Sequence, residues 1–170
     1  TDDVVDFLTN VAPTLGGNFC LFVSLVNPHD ISAFPQAYAA AGYDEKDFAN
    51  LGIGLPANMN DDLTKKPSVH GAYSKGCLAA FASETQRTGY VNFYAYLHTI
   101  VDAKIGAILD ALDAAGLTND TIVIRTADHG ELGLSHGMTE KSYTAYEEMT
   151  HVPLVVSNPV LFPAGARTEA

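Results

Sequence analysis

Apolar positions along the chain alternate between a helical and a strand-like spacing, and that alternation sets the expected fold. Over 3–12, Val4, Val5, Phe7, Leu8, Val11 and Ala12 fall mostly on one helical face, which predicts a short amphipathic helix ended by Pro13 and Gly16-Gly17. Residues 18–26 (NFCLFVSLV) are a continuous β-prone apolar run, as expected of a strand buried on both faces in a parallel sheet. Asn27-Pro28-His29-Asp30 breaks it. Over 90–115, Leu97, Val101, Ile105, Ile108 and Leu112 recur at spacings of four and three and predict a long helix, stopped by Gly116. A second strand-like run follows at 121–127 (TIVIRTA), then a short helix over 140–149 and a third strand at 152–157 (VPLVVS).

The intervening stretch, about 31–88, is a loop-rich excursion whose first part carries Pro35, Gly42, Gly52, Gly54, Pro56 and Pro67. A loop of that length is expected to be a substrate-contacting lid or a decorated surface insertion. The order of strands and helices points to one α/β layered domain over 1–170 with a largely parallel sheet flanked by helices. In such sheets ligands gather beyond the carboxyl ends of strands. Two polar clusters are expected there, His29 after the first strand and Asp128-His129 after the second.

Composition narrows the function. The chain has 170 residues, 47% hydrophobic and 17% charged, enough for a core and unlike a disordered segment. A net charge of −11 argues against nucleic-acid binding, which needs clustered Lys and Arg. It also means that a site for an anion must be made locally positive by a metal, a Lys or a His. No run of about 18 apolar residues is present, so no membrane span is expected. Thr1-Asp2-Asp3-Val4 is not a signal peptide, which leaves the compartment open. Cys20 and Cys77 lack metal or redox spacing, and Cys20, inside an apolar run, is expected to be a buried free thiol.

Asp128-His129-Gly130 is the main candidate for chemistry. An adjacent carboxylate and imidazole can turn toward one cation, with the Gly allowing a sharp bend behind them. A polar turn after a strand explains the tripeptide equally well. His136, in Gly133-Leu134-Ser135-His136-Gly137, is expected either to line the site or to be satisfied by backbone. His98, beside the apolar stripe, is expected to be structural, and His70 and His151 structural or exposed. Glu147 and Glu148 are expected to cap or solvate a helix end, and Glu131 to be a solvated loop carboxylate or a neighbour of the metal.

Several segments, in order, carry a resemblance. They are Phe22-Val23-Ser24-Leu25 with Asn27-Pro28-His29-Asp30, then Val101-Asp102-Ala103-Lys104-Ile105-Gly106, Leu109-Asp110-Ala111-Leu112 and Thr121-Ile122-Val123-Ile124. Ala127-Asp128-His129-Gly130-Glu131, His136-Gly137, Lys141, Tyr146-Glu147-Glu148 and Val152-Pro153-Leu154 continue it. The chain resembles the sulfatase family of the alkaline phosphatase superfamily, well over 1–30 and 88–167 and more loosely between. The resemblance implies an alkaline phosphatase-like fold, in part. It implies that Asp128 and His129 are metal ligands, that Lys141 contacts sulfate or phosphoryl oxygens, and that His29 touches the ester and protonates the leaving oxygen. His136 joins His29 and Lys141 as a substrate contact. One divalent cation is implied, calcium foremost, with manganese or zinc as alternatives. The Asp-His form of the pair is similar to choline sulfatases and phosphonate monoester hydrolases.

The departures bear on activity. The family's Cys-x-Pro-x-Arg motif, whose first residue becomes the formylglycine nucleophile, does not occur; Cys77 has neither the Pro nor the Arg after it. His151 stands where Arg is common in the family. The chain is therefore expected to be an interior piece of a longer sulfuric ester hydrolase, inactive alone, with formylglycine expected upstream. Hydrolysis of a phosphonate monoester or phosphodiester is the close alternative. A non-catalytic module that keeps the metal and anion pocket is the alternative from another class. Substrate and oligomeric state are not legible.

Overall fold

The structure, a computed structural model, describes residues 1–141 and 144–162. They divide into two compact units. The first comprises Thr1–Leu25, Val101–Thr126 and the described part of Pro153–Ala170; the second comprises Val26–Ile100 and Ala127–Val152.

In the first unit the N-terminal helix forms as expected but changes pitch. Helix α1 (Asp2–Asp6) runs into a π-turn at Phe7–Val11 and a 3-10 turn at Ala12–Thr14 that holds Pro13. Leu8 is buried against Ala111 and Leu112 of helix α3 (Glu84–Ala114), with Val4, Val5, Phe19 and Ile108 around them. The end of α3 is set by Gly116, whose φ of +70° lets the Leu117 N–H reach back to the Leu112 carbonyl at 3.1 Å.

Strands β1 (Val123–Thr126) and β2 (Leu154–Ser157) pair antiparallel, Val123 opposite Ser157 and Thr126 opposite Leu154. Buried Asn158 closes that pair: its amide donates to the Asn119 and Thr121 carbonyls, both at 2.9 Å. The expected second and third strands therefore exist, but as an antiparallel pair. The expected first strand, 18–26, has no ladder partner among the described residues. Its side chains are accordingly open, Phe22 at 91% exposure, and Cys20 is exposed rather than buried. The buried thiol is Cys77.

The second unit revises the reading of the excursion. Residues 31–60 are more than a surface decoration; they supply half of an aromatic core. Ile31 and Phe48 are buried with Phe81, Tyr90, Phe93 and Leu97, and Phe34, Tyr38 and Tyr43 pack on them. The Phe48 and Phe93 ring centroids are 4.9 Å apart. Buried Asn92 fastens the excursion to α3, accepting from the Ile53 N–H at 3.2 Å and donating to the Ile53 carbonyl at 2.9 Å. The excursion also contains helix α2 (Ser68–Ala79), entered from Pro67.

Helix α3 begins earlier than its apolar stripe suggests because its start is capped. The Gln86 N–H donates to Ser83 Oγ and the Ala82 N–H to Gln86 Oε1, close to a capping box. Its stripe serves two cores, Leu97 in the second unit and Leu112 in the first. The expected helix over 140–149 is short, α4 (Glu147–Thr150); its residues 142 and 143 lie outside the described ones. Glu147 and Glu148 occupy the first turn of α4, where negative charge faces the positive helix end.

Candidate functional site

Every residue singled out from the sequence, His29, Asp128, His129, His136 and Lys141, falls in the second unit. Asp128 and His129 are held face to face. The His129 Nδ1 is 2.8 Å from the Gly130 carbonyl, so it carries the proton and donates. Nε2 is 3.4 Å from Asp128 Oδ2, so the carboxylate and the far ring nitrogen face one another. A backbone carbonyl fixing one imidazole nitrogen so that the other binds metal is a common arrangement. The Asp128 carboxylate is open to solvent and His129 is half-buried. Among the described residues no third His, Cys, Asp or Glu joins them in a group that could hold a metal ion.

Gly130 is glycine for a reason other than the bend inferred from sequence. A Cβ there would lie 1.9 Å from the Glu148 carbonyl oxygen, while the Gly130 N–H donates to the Met149 carbonyl at 2.8 Å. The backbone after the Asp-His pair is thus pressed onto the start of α4.

The loop that follows, 131–140, is tightly wound. Leu134, His136 and Glu140 all have left-handed φ values, 73°, 55° and 63°, each costing roughly 1–3 kcal/mol for a non-glycine residue. Buried Leu132, Leu134 and Met138 anchor the loop, and Gly137, at φ +69°, passes so near Ser74 that a Cβ would meet its Oγ at 2.5 Å. Glu131 is half-buried, with one carboxylate oxygen engaged within the fold. Its Oε1 accepts from the Tyr90 hydroxyl at 2.8 Å, the Gly133 N–H at 3.1 Å and the Glu140 N–H at 2.7 Å. Burial, reinforced by the Glu131 charge and hydrogen bond, pushes the Tyr90 phenol far up, so it remains a donor. Lys141 follows, half-exposed, with Nζ 3.7 Å from Glu140 Oε2.

His136 belongs to a second cluster. Its Nδ1 is 2.9 Å from Asp61 Oδ2, its Nε2 is 3.6 Å from Glu148 Oε1, and its ring stacks on Tyr146 with centroids 4.0 Å apart. The Tyr146 hydroxyl is 3.0 Å from His70 Nδ1, and Asn58 donates to Glu148 at 2.9 Å. Asn58, Asp61 and Tyr146 were not singled out from the sequence as site residues; no local pattern connects positions so far apart. His29 lies in a 3-10 turn, His29–Ala33, whose entry is fixed by Asn27, Asp30 and Tyr43: the Tyr43 hydroxyl donates to the Asp30 carboxylate and Asn27 donates to Tyr43 at 2.9 Å. The His29 imidazole is exposed and makes no hydrogen bond or ion pair among the described residues. His98 is exposed and bonded through Nδ1 to the Tyr94 carbonyl, and exposed His151 pairs with Glu147 at 3.3 Å.

Glu148 makes part of this cluster pH-sensitive. Burial raises its carboxyl, but its own backbone N–H, the Asn58 amide, the His136 ring and Ser135 outweigh that and hold it below the ordinary 4.5. A depressed carboxylate contributes stability above its unfolded value and loses it as pH falls through the folded one. Urea midpoints measured from about pH 6 down to about pH 3 should show an acid-side loss that Glu148→Gln reduces by roughly 0.5–1 kcal/mol, discounted for partial exposure. Parallel curves for the two proteins would remove Glu148 from the acid response.

Comparison with known proteins bears on the chain as a whole. The family model described as Sulfatase matches residues 1–170. Arylsulfatase K of Gallus gallus is 29% identical over 94% of this chain and 31% of its own length. The uncharacterised sulfatase YidJ of Escherichia coli (strain K12) is 31% identical over 91% of this chain and 29% of its own length. Among solved structures, a 2-O GAG sulfatase superposes with a TM-score of 0.71 at 25% identity, over 93% of this chain and 34% of that one. The phosphonate monoester hydrolase SpPMH of Silicibacter pomeroyi superposes with a TM-score of 0.67 at 25% identity, over 92% and 32%. The chain thus spans about a third of the length of the relatives it matches.

Proposed function

Because this chain belongs to the sulfatase family, we propose that it is the part of a sulfuric ester hydrolase that supplies two metal ligands and the anion-binding side chains of the active site. On this reading residues 1–170 are a partial catalytic domain, completing a largely parallel, alkaline phosphatase-like sheet with the rest of the enzyme. The observation that carries the proposal is the Asp128–His129 pair, a carboxylate oxygen and an imidazole nitrogen 3.4 Å apart with the other ring nitrogen tied to the Gly130 carbonyl. An Asp oxygen with a His nitrogen suits manganese or zinc, and calcium less obviously, since calcium prefers oxygen ligands; calcium stands foremost by what the family implies. When bound, the cation would polarise the sulfate oxygens and offset their charge.

The chain's own residues would do the rest. Asp128 and His129 would hold the cation. Lys141 would turn its ammonium from Glu140 to a sulfate oxygen and stabilise charge on the transferring group. His29, whose imidazole is exposed and has no hydrogen-bond partner among the described residues, would give a proton to the ester oxygen as the S–O bond breaks. His136 would border the substrate through Nε2, whose 3.6 Å separation from Glu148 is longer than a hydrogen bond. The nucleophile, formylglycine in the family, would come from outside residues 1–170, since Cys77 is buried and lacks the motif.

Hydrolysis of a phosphonate monoester by the same residues is the second reading, favoured by the likeness to the phosphonate monoester hydrolase. Both esters present a tetrahedral, oxygen-rich anion. Among the described residues no helix is long and apolar enough to cross a membrane. The test is to assay the full-length protein on an aryl sulfate and on a phenyl phosphonate, with and without a chelator. The expected result is turnover of the sulfate, suppressed by the chelator and restored by a divalent cation, and none from the 170-residue chain alone. Preference for the phosphonate would establish the second reading. A full-length protein that binds the cation and cleaves neither ester would be the non-catalytic module.

A further inference from the structure

We infer that Glu131 is a positioning residue that sets the direction of Lys141, an inference that rests on the anion-binding role proposed for that lysine. The two ends of the 131–140 loop meet at this carboxylate. Its Oε1 takes the Gly133 N–H at the start of the loop and the Glu140 N–H at its end, while the Tyr90 hydroxyl from α3 holds the same oxygen at 2.8 Å. The Glu140 carbonyl in turn accepts the Leu132 N–H at 3.1 Å. Both backbone polar groups of Glu140 are therefore pinned within the loop, and they are pinned in a left-handed conformation, φ 63°.

A non-glycine residue adopts that conformation at a cost of roughly 1–3 kcal/mol and keeps it only where its surroundings fix it. The Glu140 conformation decides where the chain leaves for Lys141. Without Glu131 the ordinary right-handed or extended region becomes accessible to Glu140, and Lys141 departs along another line. Tyr90 makes the anchor rigid: it is buried in the aromatic core of α3 and the excursion, with Phe34 and Phe81 packed on its ring. Lys141 is in this way referenced to the core, and the same carboxylate belongs to the residue next to Gly130, whose carbonyl orients His129.

The test is a double-mutant comparison in the full-length protein on an aryl sulfate. Glu131→Ala should lower kcat/KM about ten- to hundredfold, in kcat more than in KM, as expected when a catalytic group is misplaced by about an ångström. Glu131→Gln, which keeps an acceptor oxygen at the same place, should return to within about threefold of the parent. In a Lys141→Ala background, Glu131→Ala should cost no more than about a further twofold, because its effect acts through the missing ammonium. If Glu131→Ala does not fold, Tyr90→Phe carries the same comparison, since it removes one hydroxyl and keeps the ring. Full multiplication of the two losses, or parent kinetics for Glu131→Ala, overturns the positioning role while leaving Lys141 in place. Parent kinetics for Lys141→Ala overturns the role of Lys141 itself, and the inference with it.

Discussion

Lys141→Ala in the full-length protein should slow turnover of an aryl sulfate by about a hundredfold or more, the loss that follows removal of an oxyanion contact and equivalent to about 2.7 kcal/mol. The expectation comes from the charge balance around the side chain. The chain carries 9 Lys and Arg against 20 Asp and Glu, so an anionic ester approaches a surface that repels it on average. Lys141 lies twelve residues after His129 and ends the loop that starts beside the Asp-His pair. Its ammonium is 3.7 Å from Glu140, too long for a tight pair and half-exposed, so little is lost in exchanging that carboxylate for a sulfate oxygen. Lys141→Arg keeps the charge but replaces a compact ammonium by a planar fork and should recover only part of the rate. Assayed on an aryl sulfate and a phosphonate monoester, a Lys141→Ala protein with unchanged kcat/KM on both would take Lys141 out of the site.

The helices were legible in the sequence wherever a residue's own spacing decides the outcome. Leu97 to Leu112 and the N-terminal Val4 to Ala12 pattern reported real buried faces, and Gly116 reported a real stop. The start of α3 was missed because Ser83 and Gln86 act through hydrogen bonds rather than through apolar periodicity. Strands were harder for a physical reason: a strand is completed by its neighbour, and a sequence pattern describes only one side of the pair. The runs at 121–127 and 152–157 find each other, antiparallel, whereas the equally β-prone run at 18–26 has no ladder partner among the described residues. The core-forming part of the excursion is not legible because its Pro and Gly positions signal turns, while its scattered aromatics, Phe34, Tyr38 and Phe48, become a core only when α3 packs against them.

The candidate site divides in the same way. The Asp128-His129-Gly130 motif was visible because its members are adjacent, although the need for glycine lies in a contact with Glu148 that no local reading contains. Glu131 was misread for a related cause. A carboxylate two residues after a candidate ligand looks solvated or metal-facing in one dimension, and only the fold brings the Tyr90 hydroxyl and two N–H groups to it. Loops that build sites do so through such long-range hydrogen bonds, which leave no periodic trace.

Gly130→Ala should destabilise the full-length protein by about 3 kcal/mol or more and weaken its divalent cation affinity in the same step. The added methyl would lie 1.9 Å from the Glu148 carbonyl oxygen, 2.9 Å from its carbon and 3.2 Å from the Met149 Cα. All three are backbone atoms, so no rotamer change relieves the overlap, and the two segments must separate by about 1 Å or more to reach ordinary contact. Overpacking of this kind costs about 1–3 kcal/mol, occasionally more. Separation also breaks the 2.8 Å bond from the Gly130 N–H to the Met149 carbonyl, for about 1 kcal/mol more. The Gly130 carbonyl moves with the chain, and with it the His129 ring that it orients, so Nε2 no longer faces Asp128. Gly106→Ala in α3 is the control: an added Cβ meets nothing within 4 Å there, and alanine should stabilise the helix by about 0.5–1 kcal/mol. Denaturation midpoints and cation titrations of the two variants should therefore move apart. A Gly130→Ala protein with parental stability and cation affinity would show that the backbone behind the Asp-His pair is free to yield, and that its contact with α4 does not hold the pair in place.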